Sequence, residues 1–158
     1  MIPLPSRRWL AAGAGLALLG LAGLAWPGAL GLLLALDALW VAALAIDAAA
    51  AADTFPIQVE RSAPPAFSVG RAFPVRYRWR HGKRRRLTVL VQEALPAPLG
   101  LATGVRRLIL PPGVATDEEL SMRPVARGRG AGGRMTLRVL GPLGLAWWQR
   151  RLELPWEV

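Results

Sequence analysis

Cysteine is absent from this sequence. That excludes a disulfide framework and any thiol chemistry. Histidine occurs once, as His81, so neither a multi-histidine metal site nor a histidine proton relay can be built. Acids are scarce, ten against 20 Lys and Arg. The Gly-rich stretch from Arg127 to Gly133 lacks the spacing and the Lys-Ser/Thr of a phosphate loop. Ser62, Ser68 and Ser121 have no evident base, and no carboxylate pair has suggestive spacing. The sequence therefore predicts no enzyme and calls for no cofactor and no metal.

Charge is also missing from long runs near the N-terminus. Trp9 to Trp26 carries none, and Gly28 to Ala52 carries only Asp37 and Asp47. A helix rises about 1.5 Å per residue and must cross about 30 Å of hydrocarbon. The first run is just long enough when its flanks help, and the second spans with tilt. Pro27-Gly28 ends the first helix and turns the chain, because proline cannot continue a helix. Residues 1–53 are thus expected to form a transmembrane hairpin, with helices at about 9–26 and 28–52. Trp9 and Trp26 bracket the first helix as interfacial aromatics do. Gly13, Gly15, Gly20, Gly23, Ala43 and Ala45 would permit close helix approach, although no strict GxxxG occurs.

Arg7 and Arg8 precede the first helix, and the turn between the helices has no charge. Both termini, and the Arg-rich remainder, are therefore expected on the cytoplasmic side of a bacterial inner membrane. A cleaved signal peptide is the rival reading, with Gly23-Leu24-Ala25 as its small-residue site. The apolar stretch is long for that, and a second span follows at once. Asp37 lies near the middle of the second helix, where an ionised carboxylate costs several kcal/mol unless it is paired or protonated. Its expected role is a polar contact with a partner helix or with another copy of this chain. Asp47 lies within two turns of the cytoplasmic end, near enough to reach headgroup water.

Residues 54–158 read differently. They hold 18 Lys and Arg against seven acids, a net charge of +11. Ala72 to Arg80 alternates, with Phe73, Val75, Tyr77 and Trp79 on one face and Arg76, Arg78 and Arg80 on the other. His81 to Arg85 follows as a solvated turn, and Arg86 to Gln92 returns with Leu87, Val89 and Val91 on one face. Further short strands are expected at 57–61, 105–110, 118–123, 134–140 and 145–154, with Gly and Pro between them. About seven strands punctuated in this way indicate a small basic β-sandwich of the immunoglobulin-like type. Trp147 and Trp148 are expected to place one indole in the core and one outside. The fold class is α+β: an N-terminal transmembrane helical hairpin, then an all-β immunoglobulin-like sandwich.

Arg76, Arg78, Arg80, Lys83, Arg84, Arg85 and Arg86 are the candidate binding residues of this head. They suit an acidic protein partner or anionic lipid. Nucleic acid is a poorer fit, because the aromatic residues of the same strand face the predicted core instead of the basic side.

The order of features resembles a known family. Val59-Glu60-Arg61-Ser62-Ala63-Pro64 leads to Ser68-Val69-Gly70, then a hairpin and a Leu-Pro turn. Arg127-Gly128-Arg129-Gly130 precedes Gly141-Pro142-Leu143-Gly144-Leu145. This resembles the N-terminal half of bacterial membrane proteins called domain of unknown function fifty-eight, often encoded beside MoxR-type AAA ATPases. The resemblance implies a MoxR-type ATPase or a neighbouring membrane subunit as partner. It also implies a further domain, which would begin where this chain stops. Gly141 stands where that family has an aspartate before Pro-Leu-Gly-Leu. If that aspartate caps the turn, the cap is expected to be missing here. The function so implied is a non-enzymatic, inner-membrane-anchored interaction module. The alternative is a peripheral anionic-lipid-binding head on a membrane hairpin.

Overall fold

A computed structural model describes residues 3–23, 27–53, 57–64, 66, 68–99, 103–127 and 131–157. Two expectations lie outside these residues: Trp26 at the first turn, and Gly128 to Gly130 of the Gly/Arg motif. The chain forms two compact units, Met1–Asp53 with Leu140–Gln149, and Thr54–Val139 with Arg150–Val158. The division expected at residue 53 is thus only half of the boundary. Leu140–Gln149 is distant in sequence yet belongs with the helices.

In the first unit, β1 (Pro3–Pro5) leads into α1 (Arg7–Gly23). A short 3-10 turn, Pro27–Ala29, then enters α2 (Leu30–Ala52). Ser6 caps α1: its Oγ accepts the Trp9 N–H at 3.3 Å and donates to the Gly144 carbonyl at 2.7 Å. The helices pack antiparallel. Trp9 stacks on Trp40 with ring centroids 4.0 Å apart, and Gly13 lies against the same indole. Gly23 meets Leu33 at the other end of the seam. Gly15 and Gly20 face open space, so only two of the four glycines serve close approach. α2 is long and apolar enough to cross a membrane, and it is the one such helix among the described residues. Most of its leucines are exposed. A surface of that kind is unfavourable in water and suited to hydrocarbon.

β1 pairs antiparallel with the start of β8 (Ala146–Glu157), Leu4 opposite Trp147 and Pro3 opposite Trp148. Both indoles are half-buried there. The expected split, one in the core and one outside, is not seen, because the neighbouring strand partly covers both.

The second unit holds seven strands: β2 (Ile57–Ser62), β3 (Phe73–His81), β4 (Leu87–Ala94), β5 (Arg106–Leu110), β6 (Thr116–Met122), β7 (Ala131–Leu140) and the rest of β8. They form two antiparallel sheets, β2-β3-β6 and β8-β7-β4-β5. Alternation in β3 places Phe73, Val75, Tyr77 and Trp79 inside. Leu87, Val89, Val91, Leu137 and Val139 of the other sheet complete one core. Burying each such side chain contributes about 1.5–3 kcal/mol, so the repeated alternation fixes both sheets in register.

Candidate functional site: a basic hairpin tip beside an ion-paired sheet face

β3 sets Arg76, Arg78 and Arg80 in an exposed row, because alternate side chains of a strand share a face. The register brings acids beside this row. Glu60 of β2 lies opposite Arg78, and Asp117 and Glu119 of β6 lie opposite Arg78 and Arg76. Arg76 Nε donates to Glu119 Oε2 at 2.9 Å. Arg78 donates through Nε to Asp117 Oδ1 at 2.9 Å and through Nη2 to Oδ2 at 3.3 Å. This fork, and then the guanidinium charge, hold Asp117 below the usual carboxylate range. The same hydrogen bonding raises Arg78. A basic stripe seen in one strand is therefore an ion-paired sheet face once its neighbours are in place.

Arg71, Arg107, Arg123, Arg127 and Arg151 are exposed without an ion pair among the described residues, and the β3–β4 tip gathers further such charge within one turn. Arg84 and Arg86 are exposed and form no ion pair among the described residues, whereas the charge of Arg80 adds to that of Arg78 in holding Asp117 low. Arg85 is half-buried, with one guanidinium nitrogen lacking an acceptor. Lys83 is half-buried and has contacts of its own. Acids elsewhere in the unit are engaged by other arginines: Glu93 by Arg61, Glu118 by Arg106 and Glu153 by Arg134.

His81 corrects the expectation of a solvated turn residue. It ends β3 and is buried, only 8% exposed. Its Nδ1 accepts the Lys83 N–H at 3.2 Å, so Nε2 carries the proton it shares with the Leu110 carbonyl at 3.2 Å. The single histidine thus ties the base of the basic tip to β5.

Glu93 was not expected to matter, yet it is fully buried and organises the core's polar centre. Arg61 Nη1 donates to its Oε1 at 2.8 Å, Trp156 Nε1 donates to the same oxygen at 2.9 Å, and Tyr77 Oη donates to Oε2 at 2.5 Å. Arg61 also donates to the carbonyls of Leu154 and Pro155 and stacks 3.7 Å over the Trp156 ring. Burial, then the bond to Glu93, raise the Tyr77 phenol far above its ordinary value. Arg61 of the Val-Glu-Arg segment is therefore a clasp joining β2, β4 and β8. A carboxylate in a strand that otherwise reads as core was the one available signal.

Asp47 is the second correction. It is fully buried, and instead of reaching headgroup water it caps a turn. Oδ1 accepts the Leu143 N–H at 2.6 Å, and Oδ2 accepts those of Leu145 and Ala146 at 2.7 and 2.8 Å. The turn that follows Gly141 is thus capped after all, by an aspartate from α2. A Cβ at position 141 would fall on this carboxylate, which explains glycine there. Asp37, in contrast, is exposed and lies off the α1 seam. No described residue of this chain pairs with it.

Among the described residues no group of three His, Asp or Glu side chains could hold a metal ion. The sequence matches no protein-family model and no curated protein.

Proposed function

We propose that this chain is a non-enzymatic, membrane-anchored interaction module. α1 and α2 together form a two-pass anchor in a bacterial inner membrane, with both termini cytoplasmic. The β-rich unit presents its β3–β4 tip to an acidic partner. The observation that carries this reading is the distribution of charge. Arg76, Arg78, Arg61 and Arg106 have acids beside them, whereas Arg84 and Arg86, close together in one turn, form no ion pair among the described residues. Exposed cations gathered without counter-charges favour association with an acidic surface. The resemblance of the Val-Glu-Arg and Pro-Leu-Gly-Leu segments supports a MoxR-type AAA ATPase or a neighbouring membrane subunit as that partner.

The strand order supports an immunoglobulin-like assignment. With β2 to β8 lettered A to G in chain order, the sheets are A-B-E and D-C-F-G. The constant-type arrangement differs only in the sheet that strand D joins.

The test is co-elution of the intact, detergent-solubilised protein with a purified MoxR-type ATPase. We expect a complex that is lost in a Lys83→Glu, Arg84→Glu, Arg86→Glu variant. Equal recovery of both proteins overturns the tip assignment. No complex with wild type, together with tip-dependent binding of anionic lipid, favours the lipid-binding alternative.

A further inference from the structure

We propose that the protein forms a parallel dimer in the membrane through α2, in which the Asp37 carboxyl of one copy hydrogen-bonds that of the other. This rests on the membrane reading above and not on the basic tip. Leu30, Leu34, Asp37 and Val41 recur at intervals of four, three and four residues, the spacing that puts side chains on one helix face. All four are exposed. This face lies about a quarter turn from the seam that Leu33 and Trp40 make with α1. Towards Ala52 it continues through Leu44, half-buried, and Ala48, buried, near Pro3, Leu4 and Pro5 of β1. The open stretch is therefore Leu30 to Val41, with Asp37 inside it.

Asp37 identifies the occupant. It lies about 10 Å along α2 from Leu30 and about 22 Å from Ala52, at about 1.5 Å per residue. At that depth a carboxyl group facing hydrocarbon is costly without a hydrogen-bonding partner. The hairpin itself supplies none. From Trp9 to Ala52 the sequence holds no Lys, Arg, His, Ser, Thr, Asn or Gln. The indole N–H groups of Trp9 and Trp40 are buried without an acceptor, so neither reaches Asp37. Asp47 is committed to the backbone at Leu143, Leu145 and Ala146. A second copy supplies the missing group. Copies of one chain enter the membrane in the same orientation, so their α2 helices run parallel, and residues near the two-fold axis meet their own counterparts at the same depth. A carboxylic acid that keeps its proton both donates and accepts, so two facing Asp37 groups satisfy each other. Leu34 and Val41, about one turn to either side, pack around the pair. One polar residue in an otherwise apolar stripe also fixes the register of the two helices.

The absence of cysteine makes the test direct. Leu34→Cys, Val41→Cys and Leu39→Cys are introduced singly, and each purified protein is reconstituted in liposomes at a low protein-to-lipid ratio and oxidised. A second copy is then the only partner on offer. Leu39 is exposed on the opposite side of α2 and serves as the control. A disulfide-linked dimer should form at positions 34 and 41 and not at 39. Adding Asp37→Leu should reduce the dimer about fivefold. Asp37→Asn should retain it, because an amide also donates and accepts. No dimer at 34 and 41, equal dimer at 39, or undiminished dimer with Asp37→Leu overturns the proposal. Carbonate extraction of the same liposomes separates this from failure of the anchor. Protein that resists extraction yet stays monomeric loses the dimer, leaves Asp37 to a helix of another subunit, and keeps the anchor. Protein released by carbonate loses both.

Discussion

At the residue scale, two carboxylates hold the two units in shape. Asp47 satisfies three backbone donors, so Asp47→Ala leaves three N–H groups without an acceptor. Faster amide exchange is expected at Leu143, Leu145 and Ala146, with a lower thermal midpoint in detergent. Gly141→Ala should produce the same defect, since its methyl displaces the carboxylate. The double variant should be less harmful than the sum of the two, because both act on one contact. Glu93 plays the corresponding role in the second unit. Arg61→Ala strands a buried charge and should cost about 3–5 kcal/mol, whereas Arg61→Met with Glu93→Met should cost less. Denaturant melts of the three proteins check this.

Tyr77 gives a direct optical readout of the same network, because it is the only tyrosine in the chain. Its phenol is held neutral by burial and by its bond to Glu93. The folded-state pKa lies above the unfolded value of about 10. The resulting stabilisation is complete below that value and is lost as pH rises above it. Tyrosinate absorbance near alkaline pH should therefore appear only together with unfolding. Titration of the phenol at its ordinary pH with native circular dichroism would overturn the assignment.

At the element scale, the seam between α1 and α2 depends on specific small residues. A Cβ at Gly13 would lie 2.5 Å from Trp40 Cζ2, while one at Gly15 meets nothing. Gly13→Leu should lower the melting temperature in detergent, and Gly15→Leu should leave it unchanged. The β2-β3-β6 sheet makes an electrostatic prediction. Asp117→Asn with Glu119→Gln uncovers Arg76 and Arg78, so elution from a heparin column should require more salt. The fold should persist, since exposed ion pairs contribute little to stability. The strands themselves were legible in the sequence, because Phe73 to Arg80 alternates without a break and period two has one structural solution, although His81 reads as turn and is instead the end of that strand. β1 was not. Three residues, two of them proline, carry no strand pattern, and their pairing is fixed only by β8.

At the scale of the whole molecule, the helical unit takes a segment from the far end of the chain. Leu140–Gln149 finds its cap in Asp47 and its paired strand in Pro3–Pro5. Deleting residues 1–53 therefore removes those partners. A head expressed as 54–158 should be cleaved by limited proteolysis within 140–149, where the intact protein in detergent is protected. Equal resistance would show that the segment is held without them.

Local pattern determined much of this protein. Uncharged runs of helical length can bury their backbone hydrogen bonds and expose apolar side chains, so an apolar hairpin follows from composition. Alternation likewise determines the strands, since one face must leave water. Tertiary structure decided which charges are free and which are used. Arg76 and Arg78 are as basic in sequence as Arg84 and Arg86, but the acids opposite them sit in another strand. Asp47 and Gly141 are far apart in the chain, and only folding makes one the cap and the other the space for it. Pairing energies depend on distance in space, and a linear sequence does not contain that distance.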